Sequence, residues 1–82
     1  MALELAKSGI RVNGVAPGPT DTGMLTRFTG TPENKTALAT TVPLGRLGLS
    51  EEVARAIVFM ASNEASFITG HVLNVDGGKT AG

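Results

Sequence analysis

The sequence has no cysteine, no tyrosine and no tryptophan, and it has a single histidine. Without cysteine a disulfide framework is excluded, and a zinc site of the Cys/His type is nearly excluded as well. Small domains use such cross-links because their cores are small, and 82 residues allow one small domain at most. Association between chains is the remaining means of stabilisation that the composition allows.

The sequence also lacks an excess of charge, since seven Lys and Arg residues balance seven Asp and Glu residues. With no basic stripe and only three Phe as aromatic side chains, it offers nucleic acid neither a charged footprint nor a stacking platform. No apolar run approaches the roughly 18–20 residues that span a bilayer. Met1 is not followed by the regions of a signal peptide. We therefore expect a cytoplasmic protein with no nucleic-acid or membrane partner.

What is present is a globular composition, 41% hydrophobic and 17% charged. Met1–Ser8 contains good helix formers, and Gly9 stands where a left-handed residue closes a helix. This stretch is shorter than the about 12–15 residues that an isolated helix needs, and no polar side chain caps its start. We expect the end of a longer helix, and hence a chain that is a piece of something longer.

A strand is predicted over Ile10–Ala16, because the stretch is short and apolar without strict alternation. That pattern is typical of a parallel strand buried on both faces. Pro17-Gly18-Pro19 should end it.

The next thirty residues predict a long connection with two short helices. Asp21–Phe28 is the first, and Pro32–Thr40 is the second, with Thr31 as its cap. Pro43–Gly48 is expected to be irregular. A connection of this length is typical of a lid or binding segment.

The clearest helix should begin at a Ser50 cap and end near Ser62. Glu51 and Glu52 occupy its first turn, where the helix dipole favours negative charge. The reciprocal capping box looks incomplete, because the position that it requires holds valine. The apolar residues that recur at helical spacing are Val53, Ile57 and Met60.

A second strand is predicted over His71–Val75, closed by Asp76-Gly77-Gly78. Two strands joined through a helix form a βαβ unit, in which the strands should be parallel with a right-handed crossover. The sequence therefore predicts an α/β fold.

The most informative stretch for function lies after the first strand. Pro17-Gly18, followed by Thr20-Asp21-Thr22, should present backbone and hydroxyl groups at the carboxyl edge of the sheet, where open α/β folds bind ligands. On spacing alone, a strand terminator followed by a helix cap is the better interpretation.

The ordered set of motifs nevertheless resembles the carboxy-terminal part of a short-chain dehydrogenase/reductase. Pro17-Gly18 with Thr22 is similar to the Pro-Gly-x-x-x-Thr element of that family, which lies beside the nicotinamide ring. The resemblance covers nearly the whole chain. The segments that carry it are Ala2–Ala6, Gly9–Asn13, Ala16–Gly18, Pro43–Arg46, Ser50–Ala54, Phe67–Gly70 and Asn74–Gly78.

The resemblance implies the C-terminal βαβ portion of a doubly wound, Rossmann-like parallel sheet. Residues 1–82 would form a single partial domain: the end of a helix, the penultimate strand, a substrate-loop segment, the late helix and the last strand. The parent enzyme would use NAD or NADP to interconvert an alcohol and a carbonyl. The cofactor-binding residues that the resemblance implies are Pro17, Gly18, Pro19, Thr20 and Thr22.

Two family motifs are absent. The Gly-x-x-x-Gly-x-Gly turn that holds the dinucleotide has no counterpart, and Tyr-x-x-x-Lys is impossible because the chain has no Tyr. Lys7 has nothing before it that could be that Tyr, so no catalytic residue is carried over. We expect no turnover and no tight cofactor binding by this chain alone, and an N-terminal half that is missing from it.

Other polar residues have structural interpretations first. His71 is expected to be an edge residue rather than a base, and Asp76 a turn acceptor without the further ligands of a calcium site. Arg46 should form a salt bridge rather than contact substrate. Met24 and Phe28 should pack in the core, and no metal site is expected.

Three functions remain open. The chain is part of an oxidoreductase whose catalytic half lies elsewhere, or a non-catalytic remnant that only self-associates, or a weak nucleotide-binding module that uses Pro17–Thr22. In each case we expect a homo-oligomer through Glu51–Ser62 and His71–Val75, because a lone chain leaves apolar surface and a strand edge open.

Overall fold

The computed structural model describes residues 1–22 and 30–81. Helices and short parallel strands alternate along these residues, in the α/β class that the sequence predicts. The elements in chain order are α1 (Ala2–Ala6), β1 (Gly14–Pro17), β2 (Thr20–Asp21), α2 (Pro32–Thr40), β3 (Gly48–Leu49), α3 (Ser50–Ala61), a 3₁₀ turn (Asn63–Ala65) and β4 (Val72–Val75).

Strands β1 and β4 form the predicted parallel pair, with Gly14 opposite Val72 and Pro17 opposite Val75. Both strands are shorter than predicted, since β1 begins at Gly14 rather than Ile10 and β4 at Val72 rather than His71. The preceding residues bond to side chains as well as to backbone, since Val12 O still accepts from Gly70 N–H at 2.8 Å. Val12 N–H donates to Thr69 Oγ1 at 3.0 Å.

Strands β2 and β3 form a second parallel pair that was not predicted, with Thr20 opposite Gly48. Gly48 N–H also donates to Pro19 O at 2.9 Å. Each strand has two residues, too few for a periodic signal. Residues 43–47 are irregular as expected, and only Gly48 of that predicted segment belongs to a strand.

Helix α2 has the predicted bounds and cap. Thr31 Oγ1 accepts a hydrogen bond from Asn34 N–H at 3.1 Å, and Pro32 begins the helix. The predicted helix over Asp21–Phe28 lies mostly outside the described residues, and Asp21 itself belongs to β2.

Helix α3 starts one residue earlier than predicted. Leu49 is the N-cap and Ser50 the first helical residue. Glu52 Oε1 accepts a hydrogen bond from Leu49 N–H at 2.9 Å, which is the reciprocal half of a capping box. Because Leu49 is the cap, the position that the capping box requires holds Glu52 and not Val53, which corrects the expectation that valine leaves this half of the box empty.

The closure of α1 is as predicted. Gly9 has φ 76, and Ile10 N–H donates to Leu5 O at 3.1 Å across it, the bonding pattern of a Schellman motif. No side chain caps the start of α1.

The core of the described residues is small. Its buried apolar side chains are Val42, Met60 and Ala65, at 4%, 6% and 1% exposure. Of the predicted α3 stripe, Met60 is buried, while Ile57 stays 52% exposed. Among residues 1–22 and 30–81, no helix combines the length and apolar character that a membrane crossing requires.

Candidate functional site

The ends of β1 and β4 lie side by side at one edge of the sheet, which brings Pro17-Gly18 next to Asp76-Gly77-Gly78. Gly18 N–H donates to Val75 O at 3.0 Å. A side chain on Gly18 would not fit, because its Cβ would lie 2.6 Å from Asp76 Cβ and 2.8 Å from Asp76 Cα. Glycine is therefore required here by contact with the neighbouring strand end.

The predicted cofactor-binding residues Pro17, Gly18, Pro19 and Thr20 are all at this edge. Thr20 Oγ1 donates to Gly18 O at 2.9 Å, so the hydroxyl stabilises the turn. Pro17 is exposed and Pro19 half-buried. Thr22, also half-buried, ends this part of the described chain and makes interactions of its own.

Pro19 O is the group that could meet a carboxamide amine, because proline has no N–H. It accepts the bond from Gly48 N–H, yet a carbonyl oxygen has two lone pairs and can accept a second donor. The segment is therefore compatible with the amide end of a nicotinamide, to which it would offer one acceptor.

An open cleft of about 470 Å³ lies beside this segment, between the start of α3 and the end of β4. Its walls are mostly aliphatic, with one arginine and two carboxylates. They are formed by Pro19, Val42, Pro43, Leu44, Arg46, Gly48, Glu52, Val53 and Asn74–Gly78.

Arg46 forms the predicted salt bridge, and its partner is Glu52. The guanidinium nitrogens donate to Glu52 Oε1 at 2.8 Å and Oε2 at 2.9 Å. The hydrogen bond from Arg46, and then that from Leu49 N–H, lowers the pKa of Glu52 to about 2. The same contact with Glu52 raises the pKa of Arg46. Arg46 is thus held against the protein at the cleft wall.

Asp76 is the turn acceptor that the sequence predicts. Its carboxylate accepts from Gly78 N–H at 3.0 Å, and from Thr80 N–H and Oγ1 at 3.2 and 2.6 Å. These bonds, that of the Thr80 hydroxyl first, lower the pKa of Asp76. Within the described part of the chain, no group of three or more His, Asp or Glu side chains is placed to hold a metal ion.

Sequence reasoning missed the polar side chains just before β1, which bind distant backbone groups at the amino ends of β1 and β4. Asn13 Nδ2 donates to Ile68 O, and Asn13 Oδ1 accepts from His71 N–H, both at 3.0 Å. Arg11 donates to the carbonyl oxygens of Met60 and Ser62, at 2.9 and 3.0 Å. Their polarity inside an apolar stretch was the available signal.

Three other residues were singled out in the sequence: His71, Met24 and Phe28. The side chain of His71 is exposed just before β4. Met24 and Phe28 lie outside the described residues, so their core packing stays a prediction.

A second groove, of about 600 Å³, lies under α3 on the far side of β1. Gly14 and Gly18 N–H donate towards β4, so Val15 directs its N–H and C=O to the opposite edge. Among residues 1–22 and 30–81, no strand pairs there. The residues that line the groove are Gly9, Arg11, Asn13, Val15, Ile57, Met60 and Ala61.

Comparison with known proteins gives a consistent result. A family model described as enoyl-(acyl carrier protein) reductase matches residues 1–80. An uncharacterised oxidoreductase of Bacillus subtilis is 51% identical over 78 residues, which are 95% of this chain and 31% of that protein.

Solved structures are similar over the same extent. A short chain dehydrogenase family protein from Francisella tularensis matches with TM-score 0.88 and 34% identity, over 99% of this chain and 37% of that one. A protein of Agrobacterium tumefaciens with bound NADP matches with TM-score 0.88 and 40% identity, over 99% and 33%. The chain therefore spans about a third of the length of its relatives (31%, 37% and 33%).

Proposed function

This chain belongs to the short-chain dehydrogenase/reductase family, and we propose that it forms the carboxy-terminal portion of an NAD(P)-dependent oxidoreductase that acts on an alcohol/carbonyl pair. The observation that carries the proposal is the packing of Pro17-Gly18 against Asp76 at the carboxyl edge of a parallel sheet. Open α/β folds bind their ligands at that edge. Residues 1–82 are one partial domain in this proposal.

The dinucleotide would supply the hydride chemistry, by accepting or donating a hydride at its nicotinamide. The role of this chain is to hold the amide end of that ring. Gly18 keeps the segment close to β4, Thr20 stabilises the turn, and Pro19 O offers the acceptor. Pro17 and Thr22 complete the proposed cofactor segment, Pro17–Thr22.

This chain needs a complement to carry out that role. It has no Tyr to act as the family's general acid/base, and no Gly-rich turn to hold a pyrophosphate. The free edge at Val15 and the adjacent groove can accept a further parallel strand and an apolar surface. We propose that the two thirds of the family fold outside the matched region bind there.

The experiment is complementation. A relative shortened by the third that this chain matches is mixed with the purified chain, with NADPH and a panel of ketones. We expect no turnover and no micromolar NADPH binding by either piece alone, and measurable turnover by the mixture.

Two variants of this chain make the test specific. Ile57→Lys places a charge in the groove and should abolish complementation, whereas Leu3→Lys, at 85% exposure on α1, should preserve it. Turnover by the chain alone that persists through repurification contradicts the proposal, and so does a mixture that never gains activity.

Self-association is the second proposal, through Glu51–Ser62 and His71–Val75. Large apolar side chains on and between these elements are exposed in the single chain, including Val58 at 68%, Phe67 at 103% and Val72 at 59%. Their burial between two copies would stabilise a two-fold symmetric dimer, or a dimer of such dimers.

A further inference from the structure

We infer that the turn after β4 couples the proposed cofactor segment to α2, so that a displacement of one moves the other. This closing turn, Asp76–Thr80, lies between them. On one side it contacts Gly18, and on the other it contacts Val42, two residues after the end of α2. Both contacts are too close to admit an additional methyl group.

The contact on the α2 side is at Gly77. A Cβ on Gly77 would lie 2.5 Å from Val42 Cγ1, and Gly77 has φ +63, a conformation that side chains disfavour. Leu44 N–H donates to Gly77 O at 3.1 Å. Val42 is 4% exposed, which makes it one of the few buried apolar side chains of the described residues.

Further contacts bind the two sides of the turn. Lys79 Nζ donates to Thr41 Oγ1 at 2.9 Å. A Cβ on Gly78 would lie 3.2 Å from Pro43 Cβ. Helix α2 has no buried residue of its own, so its position depends on its few contacts: those of the closing turn, and the ion pair of Lys35 with Asp21 of the cofactor segment.

The coupling follows from close packing. Backbone and buried side chains at van der Waals contact transmit displacement because they have no free volume in which to absorb it. Gly18 contacts Asp76, Asp76 continues into Gly77, and Gly77 contacts Val42. A molecule bound at Pro17–Thr22 would therefore alter the placement of α2. Only the identity of that molecule rests on the proposed function, because the coupling itself is a property of the free chain.

The test is amide hydrogen exchange of the full chain by NMR, with no cofactor, so its outcome is independent of the complementation result. Gly18→Ala should push Asp76 away and raise the exchange rate of the Leu44 amide roughly tenfold, with α3 amides unchanged. Gly14→Ala is the matched control, since its Cβ would meet Val72 Cγ2 at an ordinary 3.5 Å. Gly14→Ala should leave the exchange rate of the Leu44 amide within about threefold of its rate in the unmodified chain.

A second arm measures the coupling in the opposite direction. Val42→Ala should raise the exchange rate of the Gly18 amide, which donates to Val75 O, by roughly tenfold. Val58→Ala makes the same truncation at an exposed position and should leave Gly18 unchanged. Gly18→Ala could unfold the whole chain, which would show as a loss of hydrogen-exchange protection in α3. In that case Val42→Ala and its control Val58→Ala alone test the coupling. An unprotected Leu44 amide in the unmodified chain overturns the inference, as do equal effects of variant and control.

Discussion

The Glu52 carboxylate accepts hydrogen bonds from two neighbouring residues. It pairs with Arg46 through both oxygens and accepts the N–H of the residue that caps α3. These bonds lower its pKa to about 2. Since the Arg46 and Glu52 side chains are 55% and 34% exposed, water screens their attraction and its contribution to stability is modest.

The pH dependence follows from the sign of that shift. A carboxylate with a lower pKa in the folded than in the unfolded state stabilises the fold above its ordinary pKa. That stabilisation is lost as the pH falls from about 4.5 towards about 2. We expect thermal unfolding midpoints to fall through this window, and to fall less steeply in Glu52→Gln.

Glu51→Gln is the matched control for this prediction. Glu51 is the neighbouring acidic residue of the same helical turn, and its substitution leaves the Arg46–Glu52 pair intact. Asp76, whose pKa is also lowered, adds a pH dependence of the unfolding midpoint that is the same in all three proteins. Parallel pH profiles for the unmodified chain and Glu52→Gln would contradict the role assigned to Glu52.

At the scale of the element, α3 is held at both ends by side chains that come from outside the helix or from its first turn. At its start, Glu52 accepts a hydrogen bond from the N–H of Leu49, the N-cap residue. At its other end, Arg11 donates to Met60 O and Ser62 O, and also to Ile68 O at 3.2 Å. The last carbonyl groups of a helix have no partner within the helix, and a cation there also complements its dipole.

Arg11→Met should therefore destabilise the chain. Methionine keeps much of the aliphatic stem but leaves these part-buried carbonyl groups without their charged donor, at a cost of about 1.5–3 kcal/mol. Denaturant unfolding followed by circular dichroism measures the loss. Arg55→Met, at an exposed site on α3, should stay within about 0.5 kcal/mol of the unmodified chain. Equal losses for the two variants would refute the capping role.

At the scale of the whole molecule, the described residues have a small core for the apolar surface that they leave exposed. A two-stranded sheet is marginal in water without further packing, and here β1 and β4 pair only with each other among the described residues. Apolar residues such as Val58 and Val72 stay exposed on the outer side. Burial of such surface contributes about 25 cal/mol per Å², so we expect association to add stability.

We expect the unmodified chain to sediment as a dimer or a dimer of dimers at micromolar concentration. Val58→Lys should weaken the association at least roughly tenfold, because a charge would be buried at the centre of the contact. Leu3→Lys introduces the same charge at an 85% exposed position on α1 and should leave it unchanged. A compact, cooperatively folded monomer at these concentrations would contradict the prediction.

Features that depend on near neighbours were determined by the sequence alone. Thr31 and Pro32 begin α2 as predicted, Gly9 closes α1, and Asp76 accepts the N–H groups of its own turn. Each depends on bonds or conformations within a few residues, so the local order of side chains is sufficient. The parallel β1–β4 pair was also predictable, because two strands of one sheet that are joined through a helix are parallel, with a right-handed crossover.

Only the tertiary structure decided the features whose partners are far apart in the chain. Val12 bonds to a side chain 57 residues away, and Asn13 to a carbonyl oxygen 55 residues away, in the stretch that was predicted to begin β1. The β2–β3 pair depends in the same way on the return of the chain to Pro19. The contacts of Gly18 with Asp76 and of Gly77 with Val42 leave no periodic trace in the sequence, because a glycine that is required by packing reads the same as one that is required by a turn.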